Sequence, residues 1–161
     1  MYEIIHNIFM LETNTQLQAV EPDRFRSLKE APAPSVDFDE KTQKVLGKAF
    51  WKMAELYEFT REEQAVLLGI RYNRQRLLQL EKEKSIPFDP DKFIRMGHLL
   101  GIHRSLQILH PHNMKIVYAW MKIRHWFFND KSAMEFIMED PVNSMARLFT
   151  VRRILDQMRM R

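Results

Sequence analysis

The feature that most constrains the fold is a helical spacing of apolar residues that continues from Asp39 almost to the end of the chain. Apolar side chains recur there every three or four positions, which places them on one buried face of each helix. The spacing is interrupted at helix-breaking or helix-starting motifs, such as Ser85-Ile86-Pro87 and Asp89-Pro90. No segment is predicted to form a β-strand. The sequence therefore predicts an all-α protein.

Two short helices joined by a tight turn are predicted near the middle of the chain. Thr60 and Glu63 form a capping box that begins the first helix, and Gly69 ends it. The second helix is predicted over roughly 71–84, with Leu77 among its buried residues. This layout is that of a helix-turn-helix, whose second helix enters the major groove of DNA.

Further helices follow toward the C-terminus. Gly101 is predicted to end the helix that precedes it, and Asn113 is predicted to cap a long helix that includes Ile123. Ser132 with Glu135 forms a second capping box. We therefore expect the chain to remain helical up to its end.

Composition excludes several kinds of site. Cysteine is absent, which rules out disulfides, zinc–thiolate sites and cysteine nucleophiles. No run of about 18 apolar residues is present, so we predict no membrane span, and the N-terminus lacks the features of a secretory signal. Neither a glycine-rich phosphate loop nor a nucleophile–base arrangement stands out. We therefore expect a cytoplasmic protein that is not an enzyme, with no catalytic residues and no cofactor.

Four histidines lie close together in the sequence without the spacing of a metal site. Such a site calls for two histidines four residues apart on a helix, or for a matching carboxylate. Two of the four flank a proline instead. We predict no metal site and expect these residues in loops and on the surface. They are His98, His103, His110 and His112.

Charge is distributed unevenly along the chain. Residues 1–40 carry three basic and eight acidic side chains, a net charge of −5, whereas residues 41–161 carry 22 basic and 13 acidic ones, a net charge of +9. The basic body suggests a polyanionic partner. An ordinary solvated helical surface is the alternative, because charged surfaces are common in folded domains.

The residues just past the glycine turn have the chemistry of a DNA-reading helix. Arginine pairs with guanine or phosphate, and asparagine or glutamine pairs with adenine. The positive end of the preceding helix can also approach the phosphate backbone. Alternatively, the arginines lie on a solvated face and pair with Glu81 and Glu83. The candidate DNA-contacting residues are Thr60, Arg61, Arg71, Tyr72, Asn73, Arg74, Gln75 and Arg76.

One position departs from the usual helix-turn-helix pattern. An apolar residue normally falls six positions after the turn glycine, where this chain has Gln75. Either the turn is longer than usual or the second helix starts later, with Leu77 as its first firm apolar residue. The set of residues that reads bases is therefore left open.

Three consecutive aromatic residues, Trp126, Phe127 and Phe128, point to a partner surface. On a single helix they would span about 200° of its circumference, so they cannot all face one core. We expect one of them to be exposed or to be covered by another chain.

Two segments of the chain together resemble a known family. The first, residues 50–102, is similar to an Xre-like helix-turn-helix. The second, residues 120–159, resembles a toxin-binding domain with a tryptophan-bearing helix, a small "gksP-le" element and a final helix containing "V-R-x-x-L". Here these are Trp120, residues 129–135 and residues 151–155. The chain thus resembles the Xre/MbcA/ParS antitoxins of bacterial type II toxin–antitoxin modules.

The resemblance implies a function and a domain order. Antitoxins of this family neutralise a cognate toxin, often a RES-domain enzyme that consumes NAD, and repress their own operator DNA, usually as dimers. The expected order is an acidic segment with a proline-containing linker over 1–40, a helix-turn-helix domain over 41–110 and a toxin-binding helical domain over 111–161. The residues implied to bind the toxin are Asn129, Lys131, Ser132, Glu135, Arg152, Arg153, Arg159, Met160 and Arg161.

Two other functions remain open at this point. One is a DNA-binding transcriptional regulator with no toxin partner. The other is a protein-binding adaptor whose helix-turn-helix no longer contacts DNA. The misfit at Gln75 favours the adaptor, whereas the charge of +9 on residues 41–161 favours the two DNA-binding functions.

Overall fold

Helices dominate the part of the chain that the computed structural model describes, residues 40–87 and 89–160. The acidic segment predicted over 1–40, apart from the backbone of Glu40, lies outside these residues, and so does Arg161. None of the described helices combines the length and the apolar character that a membrane crossing requires. The helical prediction is confirmed, and the described α-helices are α1 (Glu40–Leu56), α2 (Arg61–Leu68), α3 (Arg74–Glu83), α4 (Pro90–Leu109), α5 (Met114–Ala119), α6 (Ala133–Met138) and α7 (Ser144–Arg159).

The prediction of no β-strand is wrong, because a small hairpin lies between α5 and α6. Its strands, β1 (Arg124–His125) and β2 (Lys131–Ser132), pair antiparallel. Asn129 and Asp130 turn the chain between them in left-handed conformations, with φ angles of 54° and 57°. Asparagine and aspartate tolerate this region better than most residues, because their side chains are short and polar.

The long helix predicted from Asn113 through Ile123 is also wrong, since α5 ends at Ala119. Two short 3-10 helices, Trp120–Lys122 and Trp126–Phe128, flank β1 instead. Consecutive aromatic residues on one α-helix would point to different sides. The 3-10 turn and the hairpin instead bring the last of the three aromatics into the core, at 4% exposure.

Local hydrogen bonds set the boundaries of α2 and α3. The predicted capping box is confirmed: the Glu63 backbone N–H donates to Thr60 Oγ1 at 3.2 Å, and the Thr60 N–H donates to Glu63 Oε2 at 2.7 Å. Gly69 ends α2 in a left-handed conformation, with φ of 63°. α3 begins at Arg74 and not near residue 71, because the Asn73 side chain accepts the backbone N–H three residues on, at 2.9 Å.

Helices α4 and α7 make the most extensive helix–helix contact among the described residues. Near their N-termini, Arg95 donates to Ser144 Oγ at 3.0 Å, and near their C-termini, Ser105 Oγ donates to Asp156 Oδ1 at 3.0 Å. The two helices therefore run side by side in the same direction. This pairing joins the segments before and after the hairpin.

The prediction that Gly101 ends a helix is wrong, since α4 continues to Leu109. The reason is a tertiary contact that a local pattern cannot reveal. A Cβ atom on Gly101 would lie 2.6 Å from the guanidinium carbon of Arg152 on α7. Glycine at this position therefore leaves room for the packing of α7, which offsets its low helix propensity.

One hydrophobic core serves the whole described region. Residues from α2 and from α7 belong to it, so the segments predicted as two domains, 41–110 and 111–161, contribute side chains to the same interior. Burial of large apolar side chains is the main stabilising contribution to such a fold. The largest fully buried side chains are Phe50, Leu67, Leu68, Leu77, Met96, Leu106, Val117, Met121, Met134, Ile137, Leu148 and Leu155.

Candidate functional site

The start of α3 carries the candidate DNA-contacting residues on the surface. Every residue from Arg71 to Arg76 is exposed, and Leu77 is the first fully buried one. Because α3 begins at Arg74, residues 71–73 lie in the connection that precedes the helix and not in its first turn as predicted. The late start of α3 explains why position 75 is polar: Leu77, two residues further on, is the residue that anchors the helix in the core.

The three guanidiniums of this stretch have no carboxylate within ion-pair distance among residues 40–87 and 89–160. The alternative interpretation assigned them to Glu81 and Glu83. Glu81 instead accepts from Arg61 on α2 at 2.7 Å, and Glu83 accepts from the side-chain amide of Gln79 at 3.0 Å. The ion pairs that the alternative requires are therefore not formed.

Side-chain directions around α3 follow from its helical geometry. Gln75 and Gln79 each lie about 160° from the buried Leu77, so both point away from the core. Arg76 lies about 100° from Leu77 on one side and Arg74 about 60° from it on the other, so the two exposed arginines lie on opposite flanks of α3. Gln79 was not among the predicted contacts, and its spacing of four residues from Gln75 is the signal that could have identified it.

Three of the predicted DNA contacts make hydrogen bonds within the protein instead. Thr60 and Asn73 use their side-chain oxygens to cap α2 and α3. Arg61 is not a free cation at the start of α2, because its guanidinium donates to Glu81 at 2.7 Å and braces α2 against α3. These residues hold the two helices in place, and their role as direct contacts stays a prediction.

The residues around the hairpin that the resemblance implied as toxin contacts are largely engaged in local bonds. Ser132 is 4% exposed, and its Oγ accepts from the Glu135 N–H at 3.0 Å while Glu135 Oε2 accepts from the Ser132 N–H at 2.7 Å. That backbone hydrogen bond lowers the pKa of Glu135 below its ordinary value. Lys131 pairs with Glu139, whereas Asn129 is exposed at the tip.

Among the implied toxin contacts on and after α7, some form hydrogen bonds within the protein and others are exposed. Arg152 and Arg159 turn toward α4, where Arg152 donates to the Gly97 carbonyl at 3.2 Å and Arg159 to a serine hydroxyl at 3.2 Å. Both side chains thus connect α7 with α4, and their role as toxin contacts stays a prediction. Arg153 is exposed, and Met160 is 81% exposed.

The expectation of one exposed aromatic residue is confirmed by Trp126, which is 82% exposed. Beneath it the rings form a continuous stack: Trp126 meets Phe127 edge-on at 5.6 Å, Phe127 stacks on His125 at 4.9 Å, and His125 lies 4.3 Å from Trp120. Distances are between ring centroids. An exposed tryptophan on such a rigid base is suited to insertion into a partner, because little side-chain entropy is lost on binding.

The expectation that the four histidines lie in loops or on the surface is wrong for two of them. His98 and His103 belong to α4, and His98 is 8% exposed, with its ring edge-on to Phe149 at 5.7 Å. The hydroxyl of the buried Tyr57 lies 2.9 Å from His103 Nδ1, and burial lowers the pKa of His103 and raises that of Tyr57. In the described residues, no group of three or more His, Asp or Glu side chains is placed to hold a metal ion.

Two surfaces carry exposed candidate residues, whereas Arg153 and Met160, which are also exposed, lie outside both. The hairpin surface consists of Arg124, Trp126 and Asn129. The basic α3 face consists of Arg71, Tyr72, Arg74, Gln75, Arg76 and Gln79.

Comparison of the chain with protein-family models, with curated protein sequences and with solved structures finds no match. The chemistry of the two surfaces is therefore the basis for a proposal of function.

Proposed function

We propose that the protein is a DNA-binding antitoxin of a toxin–antitoxin module. In this proposal α2 and α3 act as a helix-turn-helix on operator DNA, and residues 111–160 hold a cognate toxin protein. The observation that carries the proposal is the basic α3 face, whose guanidiniums have no carboxylate partner in the described residues. The toxin-binding half is supported by the resemblance of residues 120–159 to the toxin-binding domain of the Xre/MbcA/ParS antitoxins, and by the exposed Trp126.

The layout of the basic α3 face suits the major groove of double-stranded DNA. The groove is about 12 Å wide and admits one α-helix. With the outward side of α3 on the groove floor, Gln75 and Gln79 face base edges, where glutamine pairs with adenine. Arg74 and Arg76, on the two flanks, face the phosphates that line the groove. A dimer would present two such helices to half-sites one helical turn apart.

The electrostatics favour the same arrangement. A guanidinium that already pairs with a carboxylate must give up that pair before it binds phosphate, whereas the arginines of the basic α3 face have no such pair to give up within residues 40–87 and 89–160. Each phosphate contact also releases condensed counterions, which makes the binding salt-dependent. The basic α3 face thus contributes affinity through its arginines and sequence preference through its glutamines.

The toxin partner is proposed to bind the hairpin surface. Tryptophan is among the residues most enriched at the energetic centres of protein interfaces. Trp126 is exposed although its neighbours Phe127 and Phe128 are at least partly buried, so the exposed ring is not explained by the protein's own packing. The resemblance points to a RES-domain enzyme as the toxin.

DNA binding is tested by titrating the full chain with a duplex of its upstream promoter at several salt concentrations. Three phosphate contacts predict a slope of about −2.7 in a plot of log K against log salt, and each of Arg71→Ala, Arg74→Ala and Arg76→Ala should reduce it by about 0.9. Arg153→Ala, which removes an exposed arginine from α7, is the matched control and should leave the slope unchanged. A salt-independent affinity that none of the three variants alters would favour the adaptor.

Toxin binding is tested by co-expressing the chain with the product of the neighbouring gene. The expected results are co-purification and relief of growth arrest, with Trp126→Ala weakening both. Ile108→Ala, which shortens an exposed apolar residue on α4, serves as the control. No co-purification and no relief of growth arrest, together with intact promoter binding, would assign the protein to the regulators that have no toxin.

A further inference from the structure

A buried arginine joins the turn between α2 and α3 to the beginning of α7. Arg95, on α4, is 7% exposed, and its Nε donates to Asp91 Oδ2 at 2.8 Å. One terminal nitrogen of the same guanidinium donates to the Val66 carbonyl of α2 at 3.2 Å and to Ser144 Oγ at 3.0 Å. Three helices therefore meet at one side chain.

The guanidinium of Arg95 also lies directly against the turn itself. A Cβ atom on Gly69 would be 2.4 Å from Arg95 Nε, so the turn and the side chain occupy adjoining space. The Val66 carbonyl that accepts from Arg95 also accepts the Gly69 N–H at 3.0 Å, and the Ile70 N–H donates to the carbonyl of Ala65 at 2.9 Å. Arg95 thus supports the hydrogen bonds that end α2.

We infer that Arg95 is a positioning residue: it fixes the path of the chain between α2 and α3, and so the direction of the basic α3 face, relative to the first residue of α7. The inference rests on the proposed function for its consequence on DNA affinity. Because Arg95 is buried, it is not itself a phosphate contact. Arg95 links α2, which belongs to the proposed DNA-binding element, to α7.

The geometry of the guanidinium explains why arginine is needed at this position. Its planar fork reaches the Asp91 carboxylate, the Val66 carbonyl and the Ser144 hydroxyl at once, which a lysine ammonium on a flexible stem cannot reproduce. Loss of the fork removes one of the two donors to the Val66 carbonyl and leaves the hydroxyl of Ser144, a residue that is 1% exposed, without the hydrogen bond from Arg95.

The test uses the full chain with Arg95→Lys, Ser144→Ala and the control Arg153→Lys, an arginine-to-lysine change on the surface of α7. Amide hydrogen exchange is measured by NMR at Gly69 and Ile70, and affinity is measured for the promoter duplex. For Arg95→Lys we expect exchange at these two amides to accelerate at least about tenfold more than in the helix interiors. We expect DNA affinity to fall about tenfold, equivalent to about 1.4 kcal/mol. The control should change neither quantity.

The outcomes separate this inference from the proposed function. Unchanged exchange at Gly69 and Ile70 in both Arg95→Lys and Ser144→Ala overturns the positioning role, whatever the DNA result. A uniform rise in exchange over all helices also overturns it, since that is the response to a merely structural loss of stability. If exchange responds locally while the wild type binds no duplex at any salt, the positioning of the turn stands and the DNA-binding function fails. Should Arg95→Lys not fold, Ser144→Ala decides, because it removes one acceptor and leaves the charge.

Discussion

Replacement of Gly69 by alanine should destabilise the protein by about 2.5–5 kcal/mol, from two separate causes. Gly69 has a φ angle of 63°, and holding an L-residue in this left-handed region costs about 1–2 kcal/mol. The new methyl group would also lie 2.4 Å from Arg95 Nε, so the guanidinium must move. Moving it sacrifices a hydrogen bond of a charged donor to Val66 or Ser144, worth about 1.5–3 kcal/mol.

Equilibrium unfolding in urea measures this loss, with Gly97→Ala as the matched control. A Cβ atom on Gly97 meets no atom within 4 Å, and Gly97 lies inside α4, where alanine favours the helix. The control should therefore raise the free energy of unfolding by about 0.5–1 kcal/mol. The same substitution is thus expected to have opposite signs at two glycines of one chain.

A loss of no more than about 2 kcal/mol for Gly69→Ala would refute the steric part of this reasoning, because the backbone term alone accounts for that much. It would mean that the Arg95 guanidinium shifts without losing its partners. A double-variant cycle with Arg95→Lys distinguishes the two terms: the combined loss should be smaller than the sum of the single losses, since both changes disrupt the same hydrogen bonds.

Two further predictions concern the aromatic stack and a buried histidine. Trp126→Ala should change the free energy of unfolding by about 0.5 kcal/mol or less, because the ring is exposed. Trp120→Ala, at a core position, should cost about 3–5 kcal/mol. Urea unfolding of both variants measures the two losses, and equal losses would contradict the prediction. Because burial lowers the pKa of His103 from 6.5, the unfolded chain binds more protons below that pH. The contribution of His103 to stability should therefore be constant above about pH 6.5, fall as the pH drops from there to the lowered pKa, and level off below it. His103→Gln should flatten this decline in unfolding curves recorded from about pH 8 to pH 5.

The features that the sequence predicted correctly depend on neighbours three or four residues apart. Both capping boxes form as expected, because the serine or threonine and the glutamate that build each one are fixed by local backbone geometry. The helical class follows from apolar spacing for the same reason. Helix geometry also predicted that one of the three consecutive aromatics is exposed. Trp126 is that residue, although the segment is a 3-10 helix beside a hairpin and not an α-helix.

The features that the sequence missed depend on residues far apart in the chain. Gly101 has the composition of a helix end, yet Arg152 from α7 packs over it and α4 continues. Arg61, Arg152 and Arg159 could not be told from surface cations, because the partners that join them to other helices lie between 20 and 55 positions away. For the candidate site, the sequence therefore identified the arginine-rich stretch but could not separate the arginines without a carboxylate partner in the described part of the chain from those that brace helices.

The separation of these two kinds of arginine is the physical basis of the candidate site. Glu81 is the carboxylate to which the alternative interpretation assigned the exposed arginines, and in the structure it joins α3 to α2 through Arg61. One salt bridge thus both fixes the orientation of α3 and removes a competing anion from its basic face. If Arg61→Met left Glu81 unpaired, its negative charge on α3 would weaken the attraction of the basic α3 face for phosphate, and DNA affinity would fall although no arginine of that face had been deleted. On the proposed function, a guanidinium that braces two helices would therefore determine how strongly its neighbours bind an external anion.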